Sequence, residues 1–178
     1  MNGTLSKGVA IAVLAIFFVW FGSLGNKPVA GGPRRIIGLE LAPTVDAAEG
    51  FLQDWSKARP GVWQGQLRES LDWDTWFICA YAPLFALLCW VAAEHFGTSG
   101  YRSLEAFGQG LAGAQLLAGA LDFVENVALR RMIDAGHATA PWPQISFAAS
   151  LPKWILLGGF GLYVVAATGH WAVLMVRR

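Results

Sequence analysis

The sequence predicts an all-α fold, a polytopic membrane four-helix bundle with one or two interfacial amphipathic helices. Three observations carry that expectation. Of 178 residues, 55% are hydrophobic and only 14% charged, whereas soluble domains carry roughly 25% charged residues. The apolar residues gather in four long runs, each near the ~20 residues that cross a ~30 Å hydrocarbon core. Tryptophans fall at the ends of those runs, where indole rings sit half-buried at the headgroup level of a bilayer. At this length residues 1–178 read as one integral membrane domain. A formal net charge of +1 with scattered basic residues gives no phosphate-tracking field, so nothing points to nucleic acid as a partner.

The first span, "VAIAVLAIFFVWFGSL", covers about residues 8–24. With Lys7 before it and Ser23 and Gly25 at its end, it also resembles a cleavable secretory signal. Residues 25–72 form the only sizeable extramembrane segment. Its "GNKPVAGGPRR" is an irregular linker by Gly and Pro content. An amphipathic helix is expected over about residues 45–58, with Thr44 as N-cap, Asp46 in the first turn and Pro60-Gly61 as the stop. Val45, Ala48, Leu52 and Trp55 share one face, and Asp46, Glu49, Asp54 and Lys57 point elsewhere. Such a helix lies on the bilayer surface or packs onto its own bundle.

The second span covers about residues 75–96 and contains Pro83, where a kink is expected. Asp72 and Asp74 in "LDWDTW" stand just before it and read as helix N-cap residues. The third span runs over about 104–129 and the fourth over about 151–176. Trp20, Trp73, Trp76 and Trp154 then mark one side of the membrane, and Trp90 and Trp171 the other. Cys79 and Cys89 share the second span. Ten residues apart, they are separated by about 15 Å along a helix axis, so they cannot bridge each other and read as two buried small hydrophobes.

The third span raises the functional question. "LLAGALDFVENVALRRM", residues 116–132, is apolar and rich in small residues, yet it carries Asp122, Glu125 and Asn126. On an ideal helix Asn126 lies about 40° from Asp122, Glu125 about 60° to the other side, Gln115 about 20° and Gly119 about 60°. These groups share one face, and Gly110, Ala114 and Ala118 form a ridge of small residues leading up to it. The face should turn inward, because a carboxylate in lipid costs about 2.5–3.5 kcal/mol even on the mildest scale.

Connectivity concentrates the polar residues further. If all four spans cross, one side of the membrane collects Asp72, Asp74, Asp122, Glu125, Asn126, Arg130, Arg131, Lys153, His137 and Glu40. The other side holds Lys7, Glu94, His95, Arg102, Glu105, His170 and the terminal arginines. In "SLPKWILL" Ser150 reads as an N-cap and Pro152 as a first-turn residue. Lys153 would then oppose the helix dipole and need an anion, with Asp122 or Glu125 the natural partner. A snorkelling lysine, a purely structural charge network and a functional pocket all remain open at this point. The three histidines show no metal spacing, and Asp122-x-x-Glu125 offers two oxygens without a third ligand, so neither a metal nor a cofactor is expected. No phosphate loop, nucleophile elbow or Cys/His pair is present.

Several of these pieces recur together. "LELAPT" at 39–44 with Trp55, Asp72 or Asp74 ahead of Tyr81, Asp122/Glu125/Asn126, and Lys153 resemble a group of bacterial four-span integral membrane proteins of uncharacterised activity with a D-x-x-E-N motif in the third span. The resemblance covers about residues 36–160. It implies the architecture and that these polar positions belong together, and it brings no activity.

The functional expectation is an integral membrane protein that binds a membrane lipid or other amphiphile at a polar half-site. That half-site comprises Asp122, Glu125, Asn126, Lys153, Asp72, Asp74, Gln115 and Tyr81. The alternatives are a small integral enzyme acting on a lipid or isoprenoid, with Asp122 or Glu125 as acid/base, and an accessory subunit docking through its Gly/Ala ridges onto a partner helix. A bacterial inner membrane is the expected location. Positive-inside counting sets Lys27, Arg34, Arg35, Lys57, Arg59, Arg68, Arg130, Arg131 and Lys153 against Lys7, Arg102, Arg177 and Arg178, placing the polar side in the cytoplasm. The signal-like first span argues the reverse.

Overall fold

The computed structural model describes residues 11–13, 15–20 and 36–176, and every element among them is helical. A short apolar helix α1 (Ile11–Trp20) precedes α2 (Ile37–Glu40), α3 (Val45–Ala58), α4 (Trp63–Thr98), α5 (Arg102–Ala135) and α6 (Trp142–Val176). The ends of the first expected span, the linker up to Arg35 and the terminal arginines lie outside the described residues.

The fold is built on α4, α5 and α6, which run antiparallel and side by side with α5 packed against both of the others. Each has 34 to 36 residues, or roughly 50 Å at 1.5 Å per residue, far more than a bilayer core requires. Of the described helices, α4 and α6 are long and apolar enough to cross a membrane.

The surplus length corrects several expectations. α4 begins at Trp63 rather than near 75, so Asp72 and Asp74 sit well inside a helix and cap nothing. The early start has a packing cause: Trp63, Leu67 and Leu71 repeat at four-residue spacing and bury themselves in a common core with Leu129, Met132 and Ile133 of α5. α6 begins at Trp142 rather than near 151, with Pro143 in its first turn, a position that needs no N–H. Ser150 is therefore no N-cap, Pro152 lies within the helix, and Lys153 stands about three turns from the helix start, beyond reach of the terminal dipole.

α3 has the expected bounds. The Thr44 hydroxyl accepts from the Ala47 N–H at 3.2 Å, and Ala48, Leu52 and Trp55 are buried. Of its two expected placements, α3 takes the one on the bundle. Leu39, Ala42, Ala48, Leu52 and Trp55 join the core made by the overhanging ends of α4 and α5, so α2 and α3 form a cap over one end. The Glu49 carboxylate also accepts from the Ala138 N–H at 2.7 Å, tying α3 to the loop after α5. That loop opens at Gly136, whose φ of 74° closes α5 in the left-handed region.

A second core, at the other end, gathers Cys89, Ala92, Phe96, Leu111, Tyr163 and Ala167. Between the two, Phe18 of α1 lies 5.0 Å from Phe77 and 5.6 Å from Phe85, ring to ring. Of the expected small-residue ridge, Ala118 is fully buried and Ala114 packs against the second core, but Gly110 faces open space. A Cβ at Gly110 would meet nothing, whereas one at Gly119 would come within 2.6 Å of the Ala82 Cβ. Close helix approach thus depends on Gly119, because Gly110 has rotated away from α4 and into the open. Cys89 is buried, but Cys79 is exposed, on the side of α4 turned away from its neighbours.

Candidate functional site

α5 carries its polar residues inward. Gln115, Asp122, Glu125 and Asn126 are all buried, whereas Leu116, Leu117, Phe123, Val124 and Val127 of the same helix are exposed. Opposite the acids stands Lys153 on α6, 3% exposed. Its Nζ lies 2.8 Å from Asp122 Oδ1 and 2.7 Å from Glu125 Oε2, and 5.2 Å from the centre of the Trp154 ring. One ammonium thus serves two carboxylates at charge-assisted hydrogen-bond distance.

The remaining oxygens recruit α4 and α6. Tyr81 donates its phenol hydrogen to Asp122 Oδ2 at 2.7 Å. Asn126 Nδ2 donates to Asp74 Oδ2, also at 2.7 Å. The Ser150 hydroxyl, one turn before Lys153, donates to Glu125 Oε2. Each of these side chains is held on a regular helix, so the network is rigidly placed.

Glu40 completes the ring and was not among the candidate site residues. α2 is a single turn; its Leu39 enters the cap core and the next residue, Glu40, turns to Lys153, with Oε2 3.9 Å from Nζ. The Glu40 carbonyl accepts from the Ser146 hydroxyl at 3.3 Å, which pins α2 to α6. Glu40 Oε2 is shielded from solvent and has no hydrogen-bond donor. Burial, reinforced by the Glu125 charge, raises the Glu40 carboxyl from 4.5 to about 8, and Lys153 offsets this only partly. In the sequence it is the single acid of "LELAPT", with nothing beside it to mark a role. A four-residue helix has no periodicity to reveal it.

Two candidates do not join the centre. Asp72 points outward and pairs with Arg130 at the surface. Gln115 donates from Nε2 to the Leu156 carbonyl at 3.1 Å, and its Oε1 has no partner. At the other end of the bundle, two of the apparently scattered histidines meet, His95 Nε2 facing His170 Nδ1 at 3.0 Å. Among the described residues no group of three His, Cys, Asp or Glu side chains is placed to hold a metal ion.

The centre therefore sets four carboxylates, Glu40, Asp74, Asp122 and Glu125, around one lysine, with a tyrosine, an asparagine and a serine supplying neutral donors. No family model matches the chain, and no curated protein or solved structure does so either.

Proposed function

We propose that the protein is a multi-pass integral membrane protein whose Lys153 centre binds the polar head of a membrane lipid or other amphiphile. The reading rests on the inverted amphipathicity of α5, whose buried face is charged while its outer face is Leu, Phe and Val. In water an exposed apolar face of that extent would drive aggregation, whereas in a bilayer it is the lipid contact. α6 shows the same outward apolarity, with Ile155, Leu162 and Val165 all more than half exposed.

Depth supports the ligand class. From Leu104 to Asp122 α5 rises about 27 Å, so with Leu104 at one boundary of a ~30 Å hydrocarbon core the centre sits at the other. Trp154 and Trp171, both exposed, are about 26 Å apart along α6 and fit the two aromatic belts. A head group would thus meet the centre at its own level while its chains lie along α5 and α6. The α2–α3 cap and the overhanging helix ends then belong to the headgroup and aqueous layer, with α1 as a further span beside Tyr81. We place the cap on the cytoplasmic side of a bacterial inner membrane. Lys153, being buried, drops out of the positive-inside count, but the excess of basic residues on that side persists.

Mass-spectrometric identification of lipids retained after extraction in mild detergent tests this. A discrete, stoichiometric species enriched over the bulk membrane is expected. Retention of bulk lipid alone, or stoichiometric co-purification of another membrane subunit, would overturn the reading.

A further inference from the structure

The end of the bundle opposite the cap carries a second polar pair, remote from Lys153. His95 stands in the last turn of α4 and His170 near the end of α6, with His95 Nε2 and His170 Nδ1 facing each other at 3.0 Å. Ring packing sets both imidazoles in place. Phe96 stacks on His170 with centres 5.7 Å apart, Tyr101 meets it at right angles at 5.2 Å, and His95 tilts against Phe96 at 5.8 Å. α4 and α6 pack mainly against α5 rather than against each other, so the imidazole pair is a direct tie between their outer ends. In the bilayer placement proposed above, His170 precedes the Trp171 of the far aromatic belt and the pair stands outside the hydrocarbon.

Two imidazoles that face each other at this distance share a hydrogen. A metal ion needs about 2.0–2.1 Å to each nitrogen, hence roughly 4 Å between two that face each other, whereas 3.0 Å is within hydrogen-bond range. One ring must donate and the other accept. The neutral pair meets this condition. The pair with one added proton meets it too, because an imidazolium still finds a neutral acceptor. A second added proton puts hydrogens on both facing nitrogens, and two positive charges on rings whose centres are 5.1 Å apart.

The other ionisable groups at this end have their own contacts. Glu94 of α4 accepts from the Trp90 indole at 3.1 Å. Arg102 and Glu105 of α5 pair with each other at 2.7 Å, and Tyr163 of α6 donates to the Leu104 carbonyl at 2.8 Å. The charge that bears on His95 is that of His170.

We propose that His95 and His170 form an acid-released latch, which ties the outer end of α4 to α6 and lets go when the pair takes up its second proton. At an effective dielectric of about 20, charges at that separation weaken the hold on the second proton by roughly two orders of magnitude relative to the first. The tie therefore persists through the first protonation and is lost about two pH units below it. The release is local. The core beneath, with Cys89, Leu111 and Ala167, stays packed while the last turns of α4 and α6 part.

The experiment follows 15N-histidine-labelled full-length protein in mild detergent by NMR from pH 8 to pH 4. The third histidine, His137, with Nδ1 2.9 Å from the Ala135 carbonyl, serves as the reference and should titrate in one step. His95 and His170 should move together in two steps about two pH units apart. Amide exchange in the last turns of α4 and α6, corrected for its intrinsic pH dependence, should rise about tenfold or more at the second step only. His95→Phe and His170→Phe each remove the shared hydrogen, so exchange there should be raised and flat with pH, and the remaining histidine of the pair should titrate in one step. The wild-type titration needs no variant, so a poorly folding one leaves the test intact. Independent single steps of His95 and His170, or two steps with unchanged exchange, would overturn the latch. Stoichiometric zinc binding at pH 7 that shifts both signals would overturn it as well and make the pair a metal site. None of these readouts involves a lipid, so failure here leaves the proposed function standing.

Discussion

Lys153→Met tests whether the charged centre holds the fold together. Methionine keeps much of the lysine volume and removes only the ammonium. The loss is large because one nitrogen contacts Asp122 at 2.8 Å and Glu125 at 2.7 Å while only 3% exposed. At an effective dielectric of about 20, each contact is worth roughly 6 kcal/mol of gross attraction, most of it offset by desolvation. What remains after removal is a pair of uncompensated carboxylates, and breaking a buried pair in this way typically costs about 3–5 kcal/mol.

For a chain of this size that corresponds to a fall on the order of 10 °C in thermal midpoint. The assay is thermal unfolding of the detergent-purified protein followed by circular dichroism. Because the lysine serves two acids, adding Asp122→Asn or Glu125→Gln alone should restore only part of the loss, whereas the triple variant should restore most of it. A midpoint within 2 °C of the wild type, on the ~2–4 °C per kcal/mol scale, would refute the reasoning.

Two further outcomes are expected. Gly119→Ala places a methyl 2.6 Å from the Ala82 Cβ and should part α4 from α5 at a cost of about 1–3 kcal/mol, whereas Gly110→Ala, with nothing within 4 Å, should be neutral or slightly stabilising by helix propensity; thermal unfolding of both variants checks the contrast, and equal effects would defeat it. For orientation, a cysteine replacing the exposed Lys57 of the cap should resist a membrane-impermeant maleimide in intact cells, and one replacing the exposed Arg102 at the opposite end should label; the reverse pattern puts the cap outside.

What could be read from the sequence was what is local. α3 was readable to the residue because its cap, its apolar stripe and its Pro-Gly stop are all encoded within residues 44–61. The inward face of α5 was readable because the helical period alone brings Gln115, Asp122, Glu125 and Asn126 together. The starts of α4 and α6 were not, because residues 63–74 and 142–150 are helical through tertiary contacts with the cap, which hydropathy does not register. The Lys153 pairing was expected on a mistaken premise. The lysine lies inside a helix rather than at its end, and it is charge excess, not the dipole, that holds it. Asp72 and Asp74 differ by half a turn, enough to send one to Arg130 at the surface and the other to Asn126 in the centre.

The overlong helices and the cap have a common explanation. A lysine and four acids placed among lipid tails would each carry an insertion penalty of about 2.5–3.5 kcal/mol or more. In bulk water the same groups would be screened and weakly paired. In the bilayer placement proposed above, α4, α5 and α6 would avoid both conditions by running past the hydrocarbon boundary, where α2 and α3 roof the space between them with Leu39, Leu52 and Trp55. The charges would then lie in a protein-walled compartment at headgroup depth, dry enough to interact strongly and close enough to the interface for a head group to enter. Glu40 belongs to the roof and touches the compartment. The segment that excludes water from the centre therefore also supplies one of its carboxylates.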